Sequence, residues 1–299
     1  MQTRAITPED LAGSVIAVPP LCRQPDLSLA PDENANLIRH IEGGGVTTLL
    51  YGGNANLYNI GVSEYAALLD LLEGAAAAET LVIPSAGPYF GTMLEQAAIL
   101  RGRGFPAAMV LPAFPSSPAG IQRAVAAFVE KSGVPAVLYM KEERYLTAEA
   151  AAELVGDGII AWIKYAVVRD DPAEDALLAR LVDLVDPRLI VSGIGEQPTI
   201  AHLRRFGLGG FTSGCVCVAP AKSMAVLRLL KAAQWEDAAA AIAEFRALED
   251  LRNACGPIPV LHHAVAEAGI AETGPLYPLF ADLPDDLRAR IRAAATELM

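Results

Sequence analysis

One lysine stands alone among apolar residues. In Ile159-Ile160-Ala161-Trp162-Ile163-Lys164-Tyr165-Ala166-Val167-Val168 no other side chain is charged. A buried ammonium is costly, so such a group either pairs with a carboxylate or gives up its proton. The run contains no acid. Desolvation would draw its pKa from ~10.4 towards ~7–8, leaving a free amine able to attack a carbonyl and form a Schiff base. The run alone does not separate this from a lysine whose stem snorkels along the surface to water.

Tyr139 closes the preceding apolar run, Pro135-Ala136-Val137-Leu138-Tyr139. Adjacent strand ends lie ~5 Å apart, which brings its phenol within reach of the Lys164 nitrogen, where it could move protons. A third candidate is Tyr51-Gly52-Gly53-Asn54-Ala55-Asn56. Its glycines expose backbone N–H groups and Asn54 adds an amide, a donor set suited to a carboxylate, although Gly-Gly-Asn is also an ordinary turn. Ser192-Gly193-Ile194-Gly195 and Thr212-Ser213-Gly214 offer similar small-residue loops. No metal site is expected. In an extended Cys215-Val216-Cys217 the thiols would diverge. His262 and His263 are adjacent, and His40 and His202 are isolated, so all four read as core or surface histidines.

Elements must hold these residues in place. Apolar runs begin near Ser14, Val46, Thr80, Ala107, Pro135, Ile160, Arg188 and Gly209. Their spacing averages about 28 residues, the length of one strand-plus-helix unit. They are continuously apolar rather than alternating, as in parallel strands covered on both faces. Between them, Glu64–Leu72, Met93–Arg101, Ile121–Val129 and Ala148–Val155 carry helical spacing, with Ser63, Thr147 and Asp171 as candidate N-caps. Eight such units predict a (β/α)8 TIM barrel over residues 1–221. Residues 222–299 are expected as C-terminal helices packed on the barrel in the same structural unit. The helices read there are Lys222–Ala232, Trp235–Arg252 and Val260–Ala268. In such a barrel chemistry sits at the C-terminal strand ends, where Tyr139 and Lys164 fall.

Composition narrows the partners. Of 299 residues 53% are hydrophobic and 19% charged, which suits a large core and excludes a disordered chain. The net charge of −12 argues against nucleic acid and anionic membrane surfaces, which call for clustered Lys and Arg. Cys22, Cys215, Cys217 and Cys255 are too few and scattered for a disulfide framework, and no signal or membrane segment is read, so the expected location is the cytoplasm.

Taken together, these residues resemble the dihydrodipicolinate synthase / N-acetylneuraminate lyase family. The resemblance rests on Gly-Gly-Asn-Ala-Asn at 52–56, Tyr139, Ile163-Lys164-Tyr165-Ala166, Gly209-Gly210-Phe211-Thr212-Ser213-Gly214 and Ala219-Pro220. It continues into Pro257-Ile258-Pro259-Val260 and Gly274-Pro275-Leu276 and so covers essentially the whole chain. It implies a class I aldolase or lyase without cofactor, acting on pyruvate or another small-molecule 2-keto acid as a homo-oligomer, dimer or tetramer. Lys164 would form the Schiff base and Tyr139 would be the catalytic tyrosine. Gly53, Asn54 and Thr212 would hold the keto acid, and Arg144 would meet a second carboxylate. The chain also departs from the family. Gly52-Gly53-Asn54-Ala55-Asn56 replaces Gly-Thr-Thr-Gly-Glu, Pro112-Ala113-Phe114 replaces Pro-Tyr-Tyr, and Met140-Lys141-Glu142 replaces Asn-Val-Pro. These changes argue against true dihydrodipicolinate synthesis. A sugar-acid dehydratase using the same imine, or a non-catalytic keto-acid-binding protein, are the alternative expectations.

Overall fold

The computed structural model describes all 299 residues. Its strands are β1 (Ile16–Ala17), β2 (Thr48–Leu50), β3 (Leu81–Ile83), β4 (Ser85–Ala86), β5 (Ala108–Val110), β6 (Ala136–Met140), β7 (Ile160–Tyr165), β8 (Ile190–Ser192) and β9 (Gly210–Ser213). Every pairing is parallel, in the order β3-β2-β1-β9-β8-β7-β6-β5-β4. β3 and β4 are two halves of one stave, split at Pro84, which has no N–H to donate to a ladder. The Pro84 carbonyl still accepts from Met109 N at 2.8 Å, so the ring continues across the break. Eight staves therefore close, one from each apolar run, and the molecule is a TIM barrel with a C-terminal helical segment.

Helices follow the staves. α1 (Pro8–Gly13) precedes β1; α2 (Pro31–Gly43), α3 (Val62–Ala75), α4 (Phe90–Leu100), α5 (Pro118–Ser132), α6 (Ala148–Gly156), α7 (Ala176–Leu184), α8 (Thr199–Phe206) and α9 (Pro220–Lys231) alternate with the strands. Thr147 caps α6 as expected, accepting from Ala150 N at 3.2 Å. Ser63 does not cap α3: the first turn closes two residues earlier, with the Gly61 carbonyl accepting from Glu64 N. Asp171 does not cap α7 either, and instead closes a local turn onto Ala173 N. The cap is the fully buried Asp175, which accepts from Leu178 N and is tied to Tyr165 and Arg169.

The tail comprises α10 (Trp235–Ala243), α11 (Arg246–Cys255), α12 (Pro257–Glu267) and α13 (Asp285–Leu298). The single helix expected over Trp235–Arg252 breaks at Glu244-Phe245, and the break turns Phe245 fully into the core. α12 starts at Pro257 rather than Val260, since proline suits the first helical position. No helix is long and apolar enough to cross a membrane.

A loop before α13 fastens the tail to the barrel. Arg23 N donates to Thr273 O at 3.0 Å, and a ring nitrogen of His262 on α12 meets Gly274 O at 2.8 Å. The Arg23 guanidinium pairs with Glu64 on α3 and lies 4.0 Å over the Tyr277 ring. Gly274 has φ +72°, and a Cβ there would come 1.8 Å from the Arg23 carbonyl oxygen. Gly274→Ala is therefore expected to destabilise the protein by more than about 1 kcal/mol, read as a lower Tm by calorimetry.

Candidate active site

Strand alternation decides which way the lysine points. The Tyr165 hydroxyl donates to Asp175 Oδ2 at 2.7 Å, so Tyr165 faces the helical layer. Its neighbours in alternation, Lys164 and Trp162, then face the barrel interior. Lys164 is only 6% exposed, and Trp162 is fully buried beneath it. The strand register pairs Lys164 directly with Tyr139 on β6 and with Val191 on β8. Sequence reasoning allowed the phenol hydroxyl to reach the amine. Direct pairing instead places Nζ 4.3 Å from the centre of the Tyr139 ring, over its face. On the other side Gly193 follows β8 at close quarters: a Cβ there would lie 2.9 Å from Lys164 Cγ and 2.8 Å from Tyr165 O.

No carboxylate pairs with Lys164, so burial acts on the amine unopposed. Burial first, then the positive charges of Lys141 and Arg252, bring its pKa from 10.5 down to about 7. The Tyr139 phenol moves the other way, up to about 12, because burial outweighs the pull of Arg252. Burial therefore favours the unprotonated form of the amine and the protonated form of the phenol beside it.

The remaining expected residues sit at different depths. Gly53 and Asn54 lie in the turn after β2, and the backbone N–H groups of Gly53, Asn54 and Ala55 meet no protein acceptor. The Asn54 side chain donates to Val18 O at 3.1 Å, which holds this turn against the loop after β1. Thr212 is buried in β9 opposite Ile16. Arg144 is exposed and forms no ion pair, whereas the charge of Lys141, three residues before it, reaches Lys164.

Two groups escaped sequence reasoning. Tyr58 packs its ring edge 3.4 Å from where a Gly53 Cβ would stand, and its hydroxyl 3.7 Å away, filling the space left by the glycine. Burial pushes its phenol up. The second group comes from α11. Glu249 accepts from the backbone N–H of Glu196 and Gln197, after β8, at 3.0 and 3.1 Å. Donor atoms of Glu196, Glu249 and Cys215 lie within 4.8 Å of one another. Cys215 reaches them because Cys215–Cys217 forms a 3-10 turn rather than the extended segment considered from sequence. Burial raises all three pKa values, and Arg252 stands 3.5 Å from Glu249 as a resident cation.

The depressed pKa of Lys164 has a consequence for stability. Between about pH 7 and 10.5 the unfolded chain holds a proton on this lysine that the folded chain has released, so its contribution to stability improves as pH rises. Lys164→Met is expected to raise Tm at pH 6–7, with the gain shrinking towards pH 10. Thermal melts of both proteins across that range check it.

No protein-family model matches the chain, and no curated protein matches it in sequence. Solved structures do match in shape. The dihydrodipicolinate synthase of Bacillus clausii superposes with a TM-score of 0.85 at 18% identity, covering 97% of this chain and 98% of that one. The enzyme of Cyanidioschyzon merolae with lysine bound gives 0.84 at 18% identity, over 95% and 97%. PhdJ bound to a substrate intermediate gives 0.83 at 19% identity, over 98% and 96%. The chain has the dihydrodipicolinate synthase fold along almost its whole length, as a sequence-divergent example of it.

Proposed function

We propose that this protein is a Schiff-base-forming lyase of the dihydrodipicolinate synthase / N-acetylneuraminate lyase family, acting on pyruvate or another 2-keto acid. The observation that carries this reading is Lys164: an amine facing the barrel interior, without a carboxylate partner, brought down to about 7 by burial. Its nitrogen adds to the C2 carbonyl, and the carbinolamine loses water to give a protonated imine. That imine accepts the electron pair released when a bond at C3 breaks, either to a proton or to the carbon of an aldol partner. Tyr139 supplies and recovers the protons, since its phenol stays protonated at neutral pH. The unpartnered N–H groups of Gly53, Asn54 and Ala55 receive the keto-acid carboxylate. Thr212 on β9, two staves from both β2 and β7, adds to this set, and Arg144 waits at the rim. Loss of water from a sugar-derived keto acid would use the same imine.

Tyr58 belongs to the same machinery in this reading, as a phenol packed against the Gly53 turn. Self-association is part of it too. Tyr89 and Phe90, at the start of α4, and Phe114, in the loop after β5, leave 67%, 53% and 44% of their surface exposed. Apolar surface of this kind suits a second copy of the chain.

Borohydride reduction with pyruvate and a panel of 2-keto acids tests the reading. The expected result is a covalent adduct mapped to Lys164, absent from Lys164→Ala, with a trapping rate that rises as pH passes through about 7. No adduct with any keto acid overturns it. Tyr139→Phe is expected to retain trapping while slowing turnover by about 10²–10⁴. Unchanged turnover would remove the tyrosine from the mechanism.

A further inference from the structure

We propose that Arg252, carried to the barrel mouth by the C-terminal tail, binds an anionic group at the far end of the substrate. The site would then select 2-keto acids that carry a second carboxylate. This inference rests on the imine reading and extends it to a substrate class.

A short stretch of backbone links Arg252 to the lysine. Gly193 packs on Lys164 Cγ, and the next carbonyl, that of Ile194, accepts from Arg252 Nη2 at 2.8 Å. The guanidinium is thus held one residue from the segment that walls the amine, and its charge acts on both Lys164 and Tyr139. The side chain is 12% exposed. Nη2 is engaged by Ile194 O and Asn253 Oδ1, Nε is buried without a partner, and Nη1 makes no hydrogen bond to the protein. A guanidinium held firmly at one end and free at the other suits a planar carboxylate.

The nearby acids engage only one end of this guanidinium and leave Nη1 free. Glu249 lies 3.5 Å from Nη2 and shares a buried pocket with Glu196, where burial pushes both carboxyls up. Other groups facing the pair include Ser213, the Ser223 hydroxyl, which donates to Glu196 Oε1 at 2.7 Å, and the Cys215 thiol, pushed up by burial. Like charges this close resist joint ionisation, which works against a second negative charge on the pair. Arg144, by contrast, is exposed, where water screens whatever it meets.

Two five-carbon keto acids separate the outcomes, since 2-oxoglutarate and 2-oxovalerate differ only in ending in a carboxylate or a methyl group. Borohydride trapping is measured against concentration for wild type, Arg252→Gln, Arg252→Lys and Arg144→Gln, each first confirmed folded by its thermal melt. Wild type is expected to half-saturate with 2-oxoglutarate at a concentration about tenfold or more below that for 2-oxovalerate. Arg252→Gln should raise the 2-oxoglutarate value by about 10- to 100-fold and move 2-oxovalerate less than about threefold. Arg252→Lys should keep part of the preference. The proposal is overturned if wild type shows no preference, if Arg252→Gln keeps it, if both keto acids weaken alike, or if Arg144→Gln abolishes it. Should wild type trap pyruvate but neither of these compounds, the proposal is overturned; should it trap no keto acid at all, the imine reading fails by itself and calorimetric titration with glutarate decides the anion site. Binding lost in Arg252→Gln sustains the site, and its absence in wild type or equality in both proteins overturns it.

Discussion

A cation held out of water, with no anion to answer it, sets the terms for the rest of this molecule. Lys164 occupies the interior because Tyr165, next to it on β7, is pulled outward by Asp175 at the N-terminus of α7. Arg169 and the Leu178 N–H tie down the same carboxylate, so the outward residue, and with it the inward one, has little freedom to rotate. The walls around the amine are apolar or aromatic: Trp162 below, the Tyr139 face on one flank and the β8 backbone on the other. Desolvation of this kind disfavours the charged form, which is the state a nucleophile must leave.

A barrel built only from short parallel strands offers few polar groups at its mouth, and the tail adds them. α11 sets Glu249 under the backbone N–H groups that follow β8 and turns Arg252 towards the Ile194 carbonyl. Beneath it, backbone donors and Ser223 satisfy most of the oxygens of the carboxyl pair. The result is an electropositive edge beside Lys164 in a chain whose overall charge is −12.

Much of this was legible in the sequence, and the parts that were not share a cause. The eight apolar runs became the eight staves because burial on both faces leaves a one-dimensional mark. Lys164 stood out for the same reason, as a lone exception within such a run. Asp171 and Ser63 misled because a capping residue is recognised by type, while its success depends on which turn packs first. Asp175 prevailed through partners at Tyr165 and Arg169. α13, rich in Asp and Arg, shows little apolar surface in sequence, yet buries Ile291, Ala295 and Leu298. Arg252 and Tyr58 had no local signature at all. An arginine on an amphipathic helix resembles any solvated residue, and only the long-range packing of α11 on the β8 loop reveals its position. The Tyr139 ring lay where strand pairing required, but the fine geometry, face rather than hydroxyl, needed the register.

The docking of α11 over the loop after β8 has an evolutionary corollary. Under the proposed reading the bond-making groups lie on the staves, whereas the neighbouring guanidinium sits on a helix that contributes no stave to the barrel. Rewriting a few codons of that helix would then retune which molecules are admitted while Lys164 stays untouched.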